Sequence, residues 1–138
     1  EGKSVIAVGT TSLRTIESLY WFGVRLMEGA SHDFMILQND PYNRDPKSLP
    51  TKEEALRAVL AKMSSDRPLV GETSIFILPG YKFRICEGLI TNFHQPGSTL
   101  MLLVAAFVGD QWKKIYREAL DNEYRFLSYG DSSLLLPK

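Results

Sequence analysis

Ser4-Val5-Ile6-Ala7-Val8-Gly9-Thr10-Thr11-Ser12-Leu13 is the stretch from which the fold can be read. Ser4 to Val8 is a short, apolar, β-branched run that ends at a glycine, and it reads as a buried strand. After Thr10-Thr11-Ser12 the period changes. Leu13, Ile16, Tyr20, Val24 and Met27 recur at spacings of three and four and mark one face of a helix. Arg14, Ser18 and Arg25 line the other side with Glu17 beside them, and Gly29 supplies a stop.

The same alternation continues outward. Phe34 to Leu37 reads as a second strand, and Gln38 to Pro50, rich in Asn, Asp and Pro, as a surface loop. Thr51-Lys52-Glu53-Glu54 matches a capping box and opens a helix with Leu56, Val59, Leu60 and Met63 as its apolar stripe. Ser64 to Pro68 ends it. Thr73 to Leu78 reads as a strand and Pro79-Gly80 as a turn. Tyr81, Phe83 and Ile85 alternate with Lys82, Arg84 and Cys86, and Glu87-Gly88 turns the chain into Leu89 to Thr91, a hairpin. Asn92 to Gly97 is a loop, with Ser98 or Thr99 capping the next helix. Leu100 to Val108 is apolar all round and is expected to be buried. Gly109 ends that helix, and Asp110 caps an amphipathic one with Trp112, Ile115, Tyr116 and Ala119 inward. Strands alternating with helices, plus one antiparallel hairpin, predict an α/β fold with a mixed sheet and packed helices.

Composition narrows the function. The 138 residues suit one domain, and 44% hydrophobic with 23% charged is ordinary for a globular chain. Sixteen basic residues balance sixteen acidic ones, which excludes a strongly basic nucleic-acid binder but not a local basic patch. The single cysteine, Cys86, excludes an internal disulfide framework and points to a reducing compartment, the cytosol. Cys86 alternates with inward-facing residues, has no evident base beside it and reads as inert. The longest apolar run, Leu100 to Val108, is far short of the roughly 20 residues that span a bilayer, so no membrane partner is expected. The opening Glu1-Gly2-Lys3-Ser4 has no initiator Met and no signal core, and reads as a cut from a larger protein.

Three segments can carry chemistry. Thr10, Thr11 and Ser12 stand between a strand and a helix, where free amides and hydroxyls suit a phosphate or a carboxylate. Simple N-capping is the competing explanation. Thr91-Asn92-Phe93-His94-Gln95-Pro96-Gly97-Ser98-Thr99 leaves a strand and enters a helix. His94 can exchange protons near neutral pH, and Asn92, Ser98 and Thr99 can orient a ligand; a structural histidine in a capped turn competes. Tyr129-Gly130-Asp131 can hold a base or a ribose, against a plain turn in which Asp131 bonds its own backbone. His32, beside Asp33, reads as merely exposed. Lys113, Lys114 and Arg117 read as a solvated helix face.

Together these segments are far more specific. Val8 to Ser18, Gly71 to Leu100 and Tyr124-Arg125-Phe126-Leu127-Ser128-Tyr129-Gly130-Asp131, in this order, resemble the C-terminal portion of the S-adenosylmethionine:tRNA ribosyltransferase-isomerase family of queuosine biosynthesis. Gln95-Pro96-Gly97 stands where that family more commonly has Leu-Pro-Lys. The resemblance implies that residues 1–138 are a single piece of a longer main domain, outside which lie an N-terminal half and an inserted β-barrel-like domain. It implies an enzyme that moves the ribosyl part of S-adenosylmethionine onto 7-aminomethyl-7-deazaguanine in the tRNA wobble position. The ribose is isomerised to give epoxyqueuosine, with adenine and methionine released. S-adenosylmethionine is then a co-substrate, no metal is needed, and a cytoplasmic monomer is expected.

The same resemblance implies residue roles. His94 becomes the catalytic base or proton relay. Asn92, Ser98 and Thr99 position the ribose or the amino-acid part. Thr10, Thr11, Ser12 and Arg14 hold an anion, Glu17 in the same motif is a further substrate-binding residue, and Tyr129 and Asp131 stack on and bond to a base. The isolated piece is expected to be inactive. A non-catalytic RNA-binding module and a transferase for a phosphorylated substrate are the alternative readings.

Overall fold

A computed structural model places residues 3–29, 33–66 and 68–137; His32 lies outside these described residues. The elements run β1 (Val5–Val8), α1 (Thr10–Met27), β2 (Phe34–Ile36), α2 (Lys52–Lys62), β3 (Gly71–Thr73), β4 (Cys86–Asn92), α3 (Thr99–Val108), α4 (Gln111–Asp121) and β5 (Ser132–Leu135). They gather into two compact units. One holds the residues up to Leu13 and those from Ile77 onward; the other runs from Arg14 to Phe76.

The first unit is organised on a three-stranded mixed sheet in the order β1-β4-β5. β1 runs parallel to β4, with Ala7 opposite Leu89 and Val8 opposite Ile90. β5 runs antiparallel to β4, with Leu135 opposite Leu89 and Leu134 opposite Ile90. Alternate residues of a strand point to opposite faces, so each row lies on one side. The row Ala7, Leu89 and Leu135 is buried, whereas Val8 and Leu134 are exposed. Phe93, just past β4, gathers Tyr116, Tyr124 and Phe126 around its ring at 5.4–5.6 Å.

The second unit pairs β2 with β3 in parallel, Phe34 opposite Gly71 and Ile36 opposite Thr73. Within it α1 lies close on α2, since a Cβ on Gly23 would stand 2.1 Å from the Ala55 carbonyl oxygen. The Ser18 hydroxyl donates to the Arg14 carbonyl and lies 2.7 Å from the Thr73 hydroxyl. Phe22 stacks on Phe34 at 4.5 Å. The Thr51–Glu54 capping box forms as its spacing predicts. Two short 3-10 turns, Asp40–Tyr42 and Pro46–Ser48, order the loop between β2 and α2.

The mixed α/β architecture stands, but its antiparallel pair is not where the sequence suggests. Glu87-Gly88 makes no turn: both lie inside β4, which continues to Asn92 past a register shift that leaves Glu87 without a partner in β1. Pairing of Gly88 with Ile6 of β1 outweighs a weak turn dipeptide. Tyr81 to Ile85 form no strand, and Tyr81 and Phe83 pack ring on ring at 5.0 Å instead. The expected strand Thr73 to Leu78 is displaced: β3 lies earlier, at Gly71–Thr73, and shares only Thr73 with it, although Ser74 and Phe76 still donate backbone bonds to Ile36 and Gln38. β1 is half-bare rather than buried, with Val8 66% exposed, because Ile6 and Val8 point to the face opposite the buried row of Ala7, Leu89 and Leu135. α1 buries Leu13, Tyr20 and Val24 of the apolar stripe, but Glu17 and Ser18 are buried with them and Met27 is exposed, so its packed face is wider than the stripe. α2 buries Ala55 and Val59 and leaves Leu60 and Met63 out, because the small Ala55 side admits α1. α3 is not buried all round: Leu102 is exposed. Asp110 stands at the start of α4 but makes no side-chain cap bond.

Candidate functional site

The register of the sheet brings the sequence motifs to one edge. Because β1 and β4 are parallel, their C-terminal ends lie side by side, and the Gly9 N–H donates to the Ile90 carbonyl at 2.8 Å. Gly9 has φ +89°, a left-handed conformation that lets the chain leave the strand and start α1 at once. Thr10 is half-buried and Thr11 and Ser12 are exposed on that first turn. On the other side of β4, Asn92 pairs with Ser132, so the Tyr129–Asp131 turn reaches the same edge. Open α/β sheets bind ligands outside the carboxyl ends of their parallel strands.

His94 lies two residues beyond β4. Its Nε2 is 2.8 Å from the Thr91 hydroxyl, and its backbone N–H donates to the Tyr116 phenol oxygen at 3.0 Å. Burial pushes the imidazole pKa below the ordinary histidine value. At neutral pH the lowered pKa favours the uncharged ring, in which one nitrogen carries the proton and the other a lone pair; which of Nε2 and the Thr91 hydroxyl donates follows from the tautomer. Burial also raises the Tyr116 phenol pKa, which the His94 N–H only partly offsets, so Tyr116 anchors the loop as a neutral acceptor.

The surrounding polar side chains hold the backbone in place. The Asn92 amide donates to the Gly130 and Asp131 carbonyls and the Ser132 hydroxyl at 3.4–3.5 Å, tying β4 to the opposite turn. The Ser98 hydroxyl caps α3, accepting from the Met101 N–H and donating to the Gln95 carbonyl. Thr99 is exposed on the first turn of α3. A groove of about 380 Å³ runs beside this loop, lined by Pro79, Pro96, Thr99, Leu102 and Trp112 among others. The Asp131 carboxylate is engaged by Arg125, whose hydrogen bonds hold its pKa below the usual carboxylate range.

One unit thus brings together Thr10, Thr11, Ser12, Asn92, His94, Ser98, Thr99, Tyr129 and Asp131. Arg14 and Glu17 belong to the other unit, Arg14 half-buried and Glu17 buried. Two residues escaped the sequence reading. Thr91 could have been found from its spacing of three before His94 across a turn. Tyr116 gave no local signal, because it reaches the loop from α4. Among the described residues no group of three His, Cys, Asp or Glu is placed to hold a metal ion, and no helix is long and apolar enough to cross a membrane.

Known proteins resemble this chain along nearly its whole length. S-adenosylmethionine:tRNA ribosyltransferase-isomerase of Legionella pneumophila (strain Corby) is 42% identical over 136 residues, covering 98% of this chain and 28% of the relative. The protein of that name from Novosphingobium aromaticivorans is 43% identical over 137 residues, covering 99% of this chain and again 28% of the relative. The chain therefore spans a little over a quarter of the length of these relatives. The crystal structure of S-adenosylmethionine tRNA ribosyltransferase from Thermotoga maritima superposes with a TM-score of 0.59 at 32% identity, covering 98% of this chain and 34% of that one. Residues 1–135 match the family described as Queuosine biosynthesis protein, and the chain belongs to that family.

Proposed function

We propose that this chain works as part of a longer polypeptide that transfers and isomerises the ribosyl moiety of S-adenosylmethionine onto 7-aminomethyl-7-deazaguanine in tRNA. The product is epoxyqueuosine, with adenine and methionine released, and the chain alone is inactive. The proposal includes a cytoplasmic setting and a monomeric protein that uses no metal. The observation that carries the reading is His94: a neutral imidazole, oriented by Thr91, at the edge where the motif segments converge.

The reaction needs a base that takes a proton from the carbon next to the sulfonium, whose positive charge acidifies that carbon. A neutral imidazole with a pKa near or below the working pH is suited to that step. His94 is the base or proton relay. Asn92, Ser98 and Thr99 set the strand-to-helix loop against the ribose or the amino-acid part. Thr10, Thr11 and Ser12 serve an anion, either the methionine carboxylate or a tRNA phosphate. Tyr129 and Asp131 form the base-facing turn.

The test uses the longer polypeptide, tRNA bearing 7-aminomethyl-7-deazaguanine, and S-adenosylmethionine. Digestion of the tRNA and mass measurement of its nucleosides should reveal epoxyqueuosine, with free adenine in the supernatant. Turnover should fall roughly a hundredfold or more in His94→Ala. An unmodified nucleoside from a well-folded protein would sink the reading, and undiminished turnover in His94→Ala would remove the base assignment.

A further inference from the structure

The loop between α4 and β5 keeps one aromatic ring in solvent while everything around that ring is fixed. Phe126 turns inward, with its ring 5.4 Å from Phe93 and 5.9 Å from Tyr116. The Asp131 carboxylate accepts the Arg125 backbone N–H at 2.7 Å and the Arg125 guanidinium at 3.2 and 3.4 Å. In return the Arg125 carbonyl accepts the Asp131 N–H at 2.8 Å. Leu127 donates to the Phe93 carbonyl, and Gly130 donates to the Leu127 carbonyl. Leu127 holds φ +69°, a conformation that costs a side-chain-bearing residue and persists only where its surroundings impose it. A Cβ on Gly130 would stand 2.3 Å from the Arg125 carbonyl oxygen, so only glycine closes the loop this tightly. Between these fixed points Tyr129 is 97% exposed.

From this we infer that Tyr129 is a stacking platform for an unpaired RNA base, and that Arg125 and Asp131 are positioning residues that hold it out. The inference rests on the tRNA reading above. An RNA base fits better than a small molecule for a geometric reason. Small ligands are enclosed by concave walls, and Tyr129 has none. A bare ring suits a base delivered by a chain that is gripped elsewhere, and sequence-specific RNA readers stack splayed bases on such rings. Tyr124, Arg125 and Leu127 are exposed beside it and extend the platform with apolar and cationic surface. The Asn92 bonds to Gly130, Asp131 and Ser132 place the turn at the same sheet edge as His94, where an extruded wobble base has to arrive. Asp131 is thereby a brace rather than a partner for the base.

The test measures tRNA affinity and the KM for each substrate in the longer polypeptide. Tyr129→Ala should weaken tRNA binding about tenfold, the scale of one lost stacking contact. Tyr129→Phe should bind like the unsubstituted protein. Neither change removes a charge, so the salt dependence should keep its slope, and the KM for S-adenosylmethionine should not move. Asp131→Ala should weaken tRNA binding with the ring still present, and Asp131→Asn, whose side-chain oxygen still accepts the Arg125 N–H, should recover most of it. Undiminished tRNA affinity in Tyr129→Ala overturns the platform. A fall in thermal stability that matches the loss of affinity also overturns it, because the ring would then be packed against protein. If the unsubstituted protein neither binds nor modifies tRNA, the functional reading falls and the platform with it. If it does both and Tyr129→Ala equals it, the platform alone falls.

Discussion

Thr91 and His94 face each other across the end of β4, hydroxyl to Nε2 at 2.8 Å, with Thr91 buried and His94 half-buried. A buried hydroxyl without a partner is costly, so the pair fixes the imidazole ring as much as the ring satisfies the hydroxyl. Thr91→Val keeps the shape of the side chain and removes that bond. Turnover should fall about tenfold, less than the roughly hundredfold or greater loss that follows removal of a general base. A kcat measurement at saturating substrates checks this, with His94→Ala as the lower reference.

The same histidine predicts a pH dependence. Burial lowers its pKa in the folded protein, so the neutral form is present down to a pH below the ordinary histidine value. A reaction that uses His94 as base should gain rate with rising pH and level off at a lower pH than an ordinary histidine would allow. Stability follows the same sign. The unfolded chain takes up the proton more readily, so this contribution is complete above the ordinary histidine pKa and is lost as pH falls through the lowered one. The acid limb of kcat/KM, and the matching part of the stability profile, should both be missing in His94→Gln.

Ser98 offers a separation of cap from substrate contact. Its hydroxyl closes the N-terminus of α3 through Met101 and holds the loop through Gln95. Ser98→Ala should cost about 1 kcal/mol of stability, and Ser98→Asn, an equally good cap, should restore it. Chemical denaturation measures that part. A KM for S-adenosylmethionine that stays raised in Ser98→Asn would show a contact with substrate beyond the cap.

What the sequence made legible was local. The strand–glycine–helix start and the Thr51–Glu54 box are each decided within a few residues, and both form as read. The errors came from distant partners. Glu87-Gly88 looked like a turn because nothing nearby shows that β1, some 80 residues earlier in the chain, pairs with Gly88, or that β5, some 45 later, pairs with the rest of the same strand. Glu17 and Ser18 looked like a wet face because Thr73, which meets Ser18, is 55 residues away. The site shows the same split. Its motif residues could be picked out by type, but their convergence follows from strand register, and Tyr116 reaches His94 from a helix 22 residues on.

Gly9 and Gly23 should fail differently when given a side chain. At Gly9 a Cβ meets nothing within 4 Å, and only the φ of +89° resists it. Gly9→Ala should therefore cost about 1–2 kcal/mol, the ordinary penalty for a left-handed residue.

At Gly23 the backbone is plain helix and the obstacle is space. A Cβ there would lie 2.1 Å from the Ala55 carbonyl oxygen and 2.8 Å from its Cα, so α1 and α2 must separate to admit it. In an exposed helix, glycine to alanine stabilises by roughly 1 kcal/mol. Here that gain is outweighed, because backbone cannot give way as a flexible side chain can, and overpacking a close contact costs about 1–3 kcal/mol or more. Gly23→Ala should lower stability despite its better helix propensity, and Gly23→Ser should do no better. Pairing it with a substitution that shortens Ala55, Ala55→Gly, should recover little, since the clash is with the Ala55 backbone rather than its methyl group. Equilibrium unfolding of the single and double variants checks both claims, and full recovery in the double variant would mean that the side chain, not the backbone, sets the spacing of α1 and α2.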